Sequence, residues 1–182
     1  MSKKFLLSLV LVFFSFSHSS HSEEKINSKN WANHPEIKAI RALYQTTETL
    51  ISQSKLSQES KEFDYCEPYV DTERKLFSDS KGNVLKYLKS GGSDDSSVTL
   101  SFYYDQTGKL RFVFIAGGAY NGTELEHRIY FDVKGKRIWE NRKLIAGPGY
   151  PFPDPWPEDD MVLNPKEAFV SKNECENEAG KK

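Results

Sequence analysis

Three stretches of this chain carry the same signal: LFSDSKGNVLKYL (Leu76 to Leu88), FYYDQTGKLRFVF (Phe102 to Phe114) and IYFDVKGKRIWEN (Ile129 to Asn141). Each runs through apolar or aromatic residues to Asp, two variable residues, Gly, a polar residue and a second apolar run, which is the pattern of a tight β-hairpin. Asp at the first loop position hydrogen-bonds the backbone two residues on, and Gly at the fourth takes the positive φ that closes the loop. The pairs Asp79/Gly82, Asp105/Gly108 and Asp132/Gly135 therefore read as turn chemistry rather than as an acidic active site. The aspartates are spaced by 26 and 27 residues, so three hairpins follow one another closely. The expected result is an antiparallel meander of about six strands over residues 73–142.

Strand patterning places the core of that sheet. Leu110 to Ala116 is almost continuously apolar, as a central strand covered on both faces requires, whereas Val98, Leu100, Phe102 and Tyr104 alternate with Thr99, Ser101 and Tyr103. In the third hairpin His127, Ile129 and Phe131 share one face, and Glu126, Arg128 and Tyr130 share the other.

One amphipathic helix is expected ahead of the sheet, over about residues 33–53. Asn33 and Glu36 have the spacing of a capping box, Pro35 falls in the first turn, and Ile37, Ile40, Leu43, Tyr44, Thr47, Leu50 and Ile51 recur at helical spacing. Such a helix cannot bury its stripe alone and should lie across one face of the meander. The polar run from Ser52 to Lys61 then reads as a loop, with Phe63, Tyr65 and Tyr69 forming a short edge strand. The fold class is thus α+β, one N-terminal helix packed on three consecutive hairpins. This layout resembles the cystatin-like helix-plus-meander architectures, a likeness of arrangement that implies no activity. The segment Tyr104 to Leu110 (YDQTGKL) resembles the core of YD-type repeats of large exported shells, over one hairpin, and implies no function here.

Residues 1–22 read as an export signal. Lys3 and Lys4 form a basic start, Phe5 to Phe16 an apolar segment too short to span a bilayer, and Ser20-His21-Ser22 a small-residue cleavage site. No later segment is apolar enough for a membrane span, and the expectation is a soluble periplasmic or secreted protein. Without Lys3 and Lys4 the basic count falls from 25 to 23 against 26 acidic residues, a net charge of -3. That balance argues against nucleic acid as a partner. Residues 23–182 match one domain in length, and 37% hydrophobic with 13% aromatic content is enough for a core. In an oxidising compartment Cys66 and Cys175 are expected to form a disulfide.

After the third hairpin the chain changes character. GPGYPFPDPWPEDD (Gly147 to Asp160) is too rich in proline for regular structure, and Tyr150, Phe152 and Trp156 favour an ordered loop capping the sheet, followed by a C-terminal tail. Together with Tyr120 of the glycine-rich segment Ala116 to Thr123, taken as a flexible loop, these rings are the candidate binding residues, on the ground that aromatics on rigid loops anchor partners.

Signatures of catalysis are thin. HExxH, GxSxG and a phosphate-binding glycine loop are absent, and only His34 and His127 follow the signal. Neither Asp94 and Asp95 nor Glu158, Asp159 and Asp160 have the spacing of a calcium loop. No metal or cofactor is expected. The most compact ionisable cluster is Glu124, Glu126 and His127, which an envelope-polymer hydrolase would need as acid and base. The sequence favours an exported, non-catalytic binding or assembly protein whose partner is another protein. An inhibitor of an extracytoplasmic enzyme and a glycan binder stacking sugars on Trp156 or Tyr150 are the alternatives.

Overall fold

The computed structural model describes residues 25–63 and 70–173. A 3₁₀ turn (Trp31–Asn33) leads into helix α1 (Pro35–Ser52), which precedes seven strands: β1 (Ser57–Glu62), β2 (Val70–Ser78), β3 (Val84–Ser93), β4 (Ser96–Tyr104), β5 (Leu110–Ala119), β6 (Glu124–Phe131) and β7 (Arg137–Ala146). A second 3₁₀ turn (Glu158–Asp160) and a short helix α2 (Pro165–Val170) follow. The strands form one antiparallel sheet in sequence order, β1 to β7. The class is α+β with one antiparallel sheet, and the strand count is seven rather than about six. The added strand is β1, which lies inside the polar run read as a loop. Its residues are almost all exposed, so an edge strand that pairs only with β2 carries no apolar alternation to announce it.

The three Asp/Gly hairpins are the β2–β3, β4–β5 and β6–β7 connections, and they are wired alike. Oδ1 of Asp79 accepts from the backbone of Lys81 and Asn83, Oδ1 of Asp105 from Thr107 and Lys109, and Oδ1 of Asp132 from Lys134 and Lys136. The glycine at the fourth position lies near φ +80° in each. A fourth turn has the same backbone: Gly122 donates to Ala119 O with φ +80°, although Ala119 stands where the others have Asp. The first half of the segment read as a flexible loop is therefore strand, since β5 runs to Ala119, and the second half is a tight turn.

Two layers cover the sheet. On one face, Ile37 and Ile40 of α1 bury against Tyr103, Phe112 and Tyr130, with Trp31, Leu43, Tyr44, Phe114, Ile138 and Trp139 packed around them. On the other, Leu76, Tyr87, Leu100, Phe102, Val113, Ile115, Ile129 and Phe131 form the larger core, closed by Phe152, Trp156, Met161 and Phe169 from beyond the last strand. The proline-rich segment is thus the lid of a hydrophobic face. Phe152 lies on Gly117, where a Cβ would come within 3.1 Å of the ring, so glycine is what lets an aromatic ring rest on the strand backbone.

Helix α1 begins one residue later than the sequence suggests. His34, not Asn33, is the N-cap: its Nδ1 accepts from the Glu36 amide at 3.3 Å, with Pro35 opening the helix. Asn33 instead closes the 3₁₀ turn that positions Trp31. Two polar clasps fix the helix to the sheet. Near its start Glu36 meets Arg111 at 3.1 Å. Near its end Oε1 of Glu48 accepts from Lys86 at 2.8 Å and from the Tyr103 hydroxyl at 2.9 Å. Burial, reinforced by Glu48, pushes the Tyr103 phenol far up, so it stays a donor at all ordinary pH. Helix α2 lies on the opposite face, with the Arg74 guanidinium donating to Ala168 O and Ser171 O. No described helix is long and apolar enough to cross a membrane.

Candidate functional site

Strand register decides which side chains α1 covers. On its face of the sheet, Tyr103, Phe112, Tyr130 and Trp139 lie opposite one another across β4 to β7, and the next row is Ser101, Phe114, Arg128 and Asn141. The helix sits on the first row. The second row emerges from beneath it, and between the two lies a cleft of about 330 Å³. Its walls are Trp31, Tyr44, Phe112, Phe114 and Tyr130, and its polar lining is Arg41, Gln45, Arg128 and Asn141.

The aromatic walls are braced by one another. Trp31 stacks on Trp139 with centroids 5.8 Å apart, and Tyr44 meets Tyr103 and Phe112 edge-on at 5.1 and 5.6 Å. Two cations lie over rings: the Arg41 guanidinium over Trp31 at 4.9 Å and that of Arg128 over Phe114 at 5.0 Å.

Charge is unevenly settled here. Arg128 is paired with Glu126 at 2.6 Å, and Glu48, one helical turn from Tyr44, is taken by Lys86 and Tyr103. Arg41 donates to the Ala32 carbonyl at 2.9 Å but has no carboxylate partner among the described residues. The side chains of Tyr44, Gln45 and Asn141 make no hydrogen bond within the described residues. Burial, and then Glu48, pushes the Tyr44 phenol up, so it keeps its proton at neutral pH. The cleft therefore offers stacking surfaces, several unused donors and one uncompensated positive charge. Its lining contains no carboxylate, imidazole, thiol or aliphatic hydroxyl.

The residues singled out from sequence fall elsewhere. Phe152 and Trp156 are 7% and 4% exposed and belong to the core, so they present no binding patch. Tyr150 is half-buried beside Phe152, with ring centroids 4.7 Å apart, and its hydroxyl donates to Asp95 at 2.8 Å. Tyr120 is 82% exposed, and its amide donates to the Asp95 carbonyl. Tyr120 and Tyr150 thus do meet at one end of the sheet, through Asp95, but the apolar cluster expected of them is divided between surface and core. The surface there is a shallow, mostly polar depression around Asp94, Asp95 and Ser97.

The Glu124, Glu126 and His127 cluster does not converge. Successive strand residues point to opposite faces, so Glu126 sits on the α1 side with Arg128 while His127 is fully buried on the other. Nε2 of His127 lies 2.5 Å from Oε1 of Glu140, a short contact off the line of a well-aligned hydrogen bond. The same oxygen accepts from the Trp156 amide, and Oε2 takes Arg137 at 2.7 Å. Arg137 also donates to Trp156 O, and Arg142 holds Asp154 at 3.0 Å. These residues tie the lid to β6 and β7. Burial lowers the His127 pKa more than Glu140 raises it, and its Nδ1 has no hydrogen-bond partner among the described residues, so a second proton there would find no acceptor among them.

Among the described residues no three His, Cys, Asp or Glu side chains group as metal ligands. Cys66 and Cys175 lie outside the described residues, as do residues 1–24 with the expected signal. No family model matches this chain, and neither a curated protein nor a solved structure matches it.

Proposed function

We propose that this chain is an exported, non-catalytic binding protein and that it binds in the cleft between α1 and β5 to β7. One observation carries the reading: mutually packed aromatic walls surround hydrogen-bonding groups that have no partner among the described residues, beside a cation with no carboxylate partner among them. Pockets with apolar walls and a few polar groups of this kind are where small ligands and side chains are held. The ionisable groups of the lining are two arginines and two tyrosine phenols, a set better suited to holding a ligand than to proton transfer or nucleophilic attack at neutral pH. Export is carried by the pattern of residues 1–22, and periplasm or extracellular medium is the compartment it implies. A disulfide between Cys66 and Cys175 belongs to the same reading.

A mixed set of neutral, cationic and anionic aromatic fragments, with short glycans, titrated into isotope-labelled protein tests the site. Saturable shifts are expected to concentrate on residues 41–45, 112–114 and 128–130. Shifts gathered elsewhere, or none, refute it. A second reading, contact with a partner protein as an accessory or inhibitor, is favoured by Tyr120, exposed on a rigid turn. It predicts that Tyr120→Ala weakens capture of the partner without loss of stability.

A further inference from the structure

Resting on the cleft as the binding site, the geometry points to its ligand class: a small aromatic carboxylate of one or two rings. Size comes first. A volume of about 330 Å³ lies at the lower end for ligand sites, roughly 300 to 1,000 Å³, which suits a single compact ring system rather than an oligosaccharide or an extended peptide.

Shape and polarity narrow it further. Tyr44, Phe112, Phe114, Tyr130 and Trp31 supply ring faces and edges, and a flat π-system buries against these with little lost freedom. Every polar group here can donate: the Arg41 guanidinium does nothing else, and the Gln45 and Asn141 amides and the protonated Tyr44 hydroxyl can donate or accept. Donors of this kind want an oxygen acceptor. The charge ledger makes that acceptor an anion. Glu126 is bound to Arg128 and Glu48 to Lys86, while Arg41 is neutralised by nothing described. A carboxylate fits the planar fork of a guanidinium and forms bonds about twice as strong as neutral ones. Stacking of Arg41 on Trp31 at 4.9 Å and its bond to Ala32 O hold the fork in place before any ligand arrives.

The test is a titration of the full chain with indole-3-acetate and with its uncharged counterpart indole-3-acetamide, followed by nuclear magnetic resonance. The acid is expected to saturate shifts at Trp31, Tyr44 and Phe114, and to bind at least tenfold more tightly than the amide. Arg41→Met, which keeps an apolar stem against Trp31, should weaken the acid at least tenfold and the amide by much less, so that the acid-to-amide preference collapses. Should that variant fail to fold, the acid-to-amide ratio on the unaltered protein decides alone. Equal affinity for acid and amide overturns the carboxylate assignment and leaves the cleft as the site. So does silence from both while other fragments shift cleft residues. If no probe of any charge shifts those residues, the ligand class and the binding site fall together.

Discussion

Asp79, Asp105 and Asp132 each close a hairpin by giving one carboxylate oxygen to two backbone amides while the glycine three residues on turns the chain back. At Asp79 the bonds from Asn83 bring the carboxyl below its ordinary range. At Asp105 burial pushes upward, but the bonds from Thr107 and Lys109 and the nearby Arg111 prevail and the carboxyl again lies low. Stability from these two groups is full above the ordinary value of 3.8 and is lost as pH falls through their lower folded values. The glycines act through the backbone alone. A Cβ at Gly108 meets nothing within 4 Å, so Gly108→Ala is expected to cost about 1 to 2 kcal/mol from left-handed strain, read as a lower urea midpoint with an unchanged slope. His127 belongs to a different pH window. Its folded pKa lies below the ordinary 6.5 because of burial, so the unfolded chain binds the proton more readily. Stability is then complete above pH 6.5 and declines as pH falls from there toward the folded value. Urea midpoints at pH 7.5 and 5.5 should show this decline, and His127→Gln should abolish it. A midpoint that rises on acidification would contradict the assignment.

Among the elements, the proline-rich segment is the one whose role changes most between sequence and structure. Its aromatics look like a presented surface because nothing in the local pattern says what they touch. The partner of Phe152 is Gly117, and that of Trp156 is His127 with ring centroids 6.0 Å apart, both far away in sequence. Phe152→Ala and Trp156→Ala should therefore each cost about 3 to 5 kcal/mol, detected by thermal melting and by faster hydrogen exchange of β6 and β7. A stable Trp156→Ala variant with native exchange would return that ring to the surface. Gly117→Ala should reproduce part of the loss by displacing the Phe152 ring, with a cost of about 1 to 3 kcal/mol. The hairpins and α1 were legible because their signals are local: an Asp with a Gly three residues later, or an apolar residue every third or fourth position. Helix α2 also has a local signal. Asn164-Pro165-Lys166-Glu167 is a capped start, with the Glu167 backbone amide donating to Asn164 Oδ1 and the Asn164 side-chain Nδ2 donating to Glu167 Oε2. The cleft had none. Its lining comes from a helix, a 3₁₀ turn and three strands, and the set is fixed by register and by how much of the sheet an 18-residue helix can cover, which no stretch of sequence states alone.

At the scale of the whole molecule, the two layers leave one tether to be tested. Phe63, just past β1, and the segment that follows α2 converge on one side chain. The Arg74 guanidinium lies 4.8 Å from the Phe63 ring centroid and donates to Ala168 and Ser171 just ahead of buried Asn173. Cys66 is three residues beyond Phe63 and Cys175 two beyond Asn173. In an oxidising compartment this pair is expected to form a crosslink. The bond would enclose more than a hundred residues, for which loop closure gives about 4 to 5 kcal/mol before any strain is subtracted. Protein recovered from an oxidising compartment should weigh two hydrogens less than its reduced form, yield a peptide joining Cys66 to Cys175, and melt lower once reduced. Cys66→Ser with Cys175→Ser should melt like the reduced protein and leave fragment binding at the cleft intact, because Arg41, Tyr44 and Phe114 are held by the Glu36 and Glu48 clasps. Two alkylatable thiols in protein recovered from an oxidising compartment would remove the tether and leave the export reading on the pattern of residues 1–22 alone.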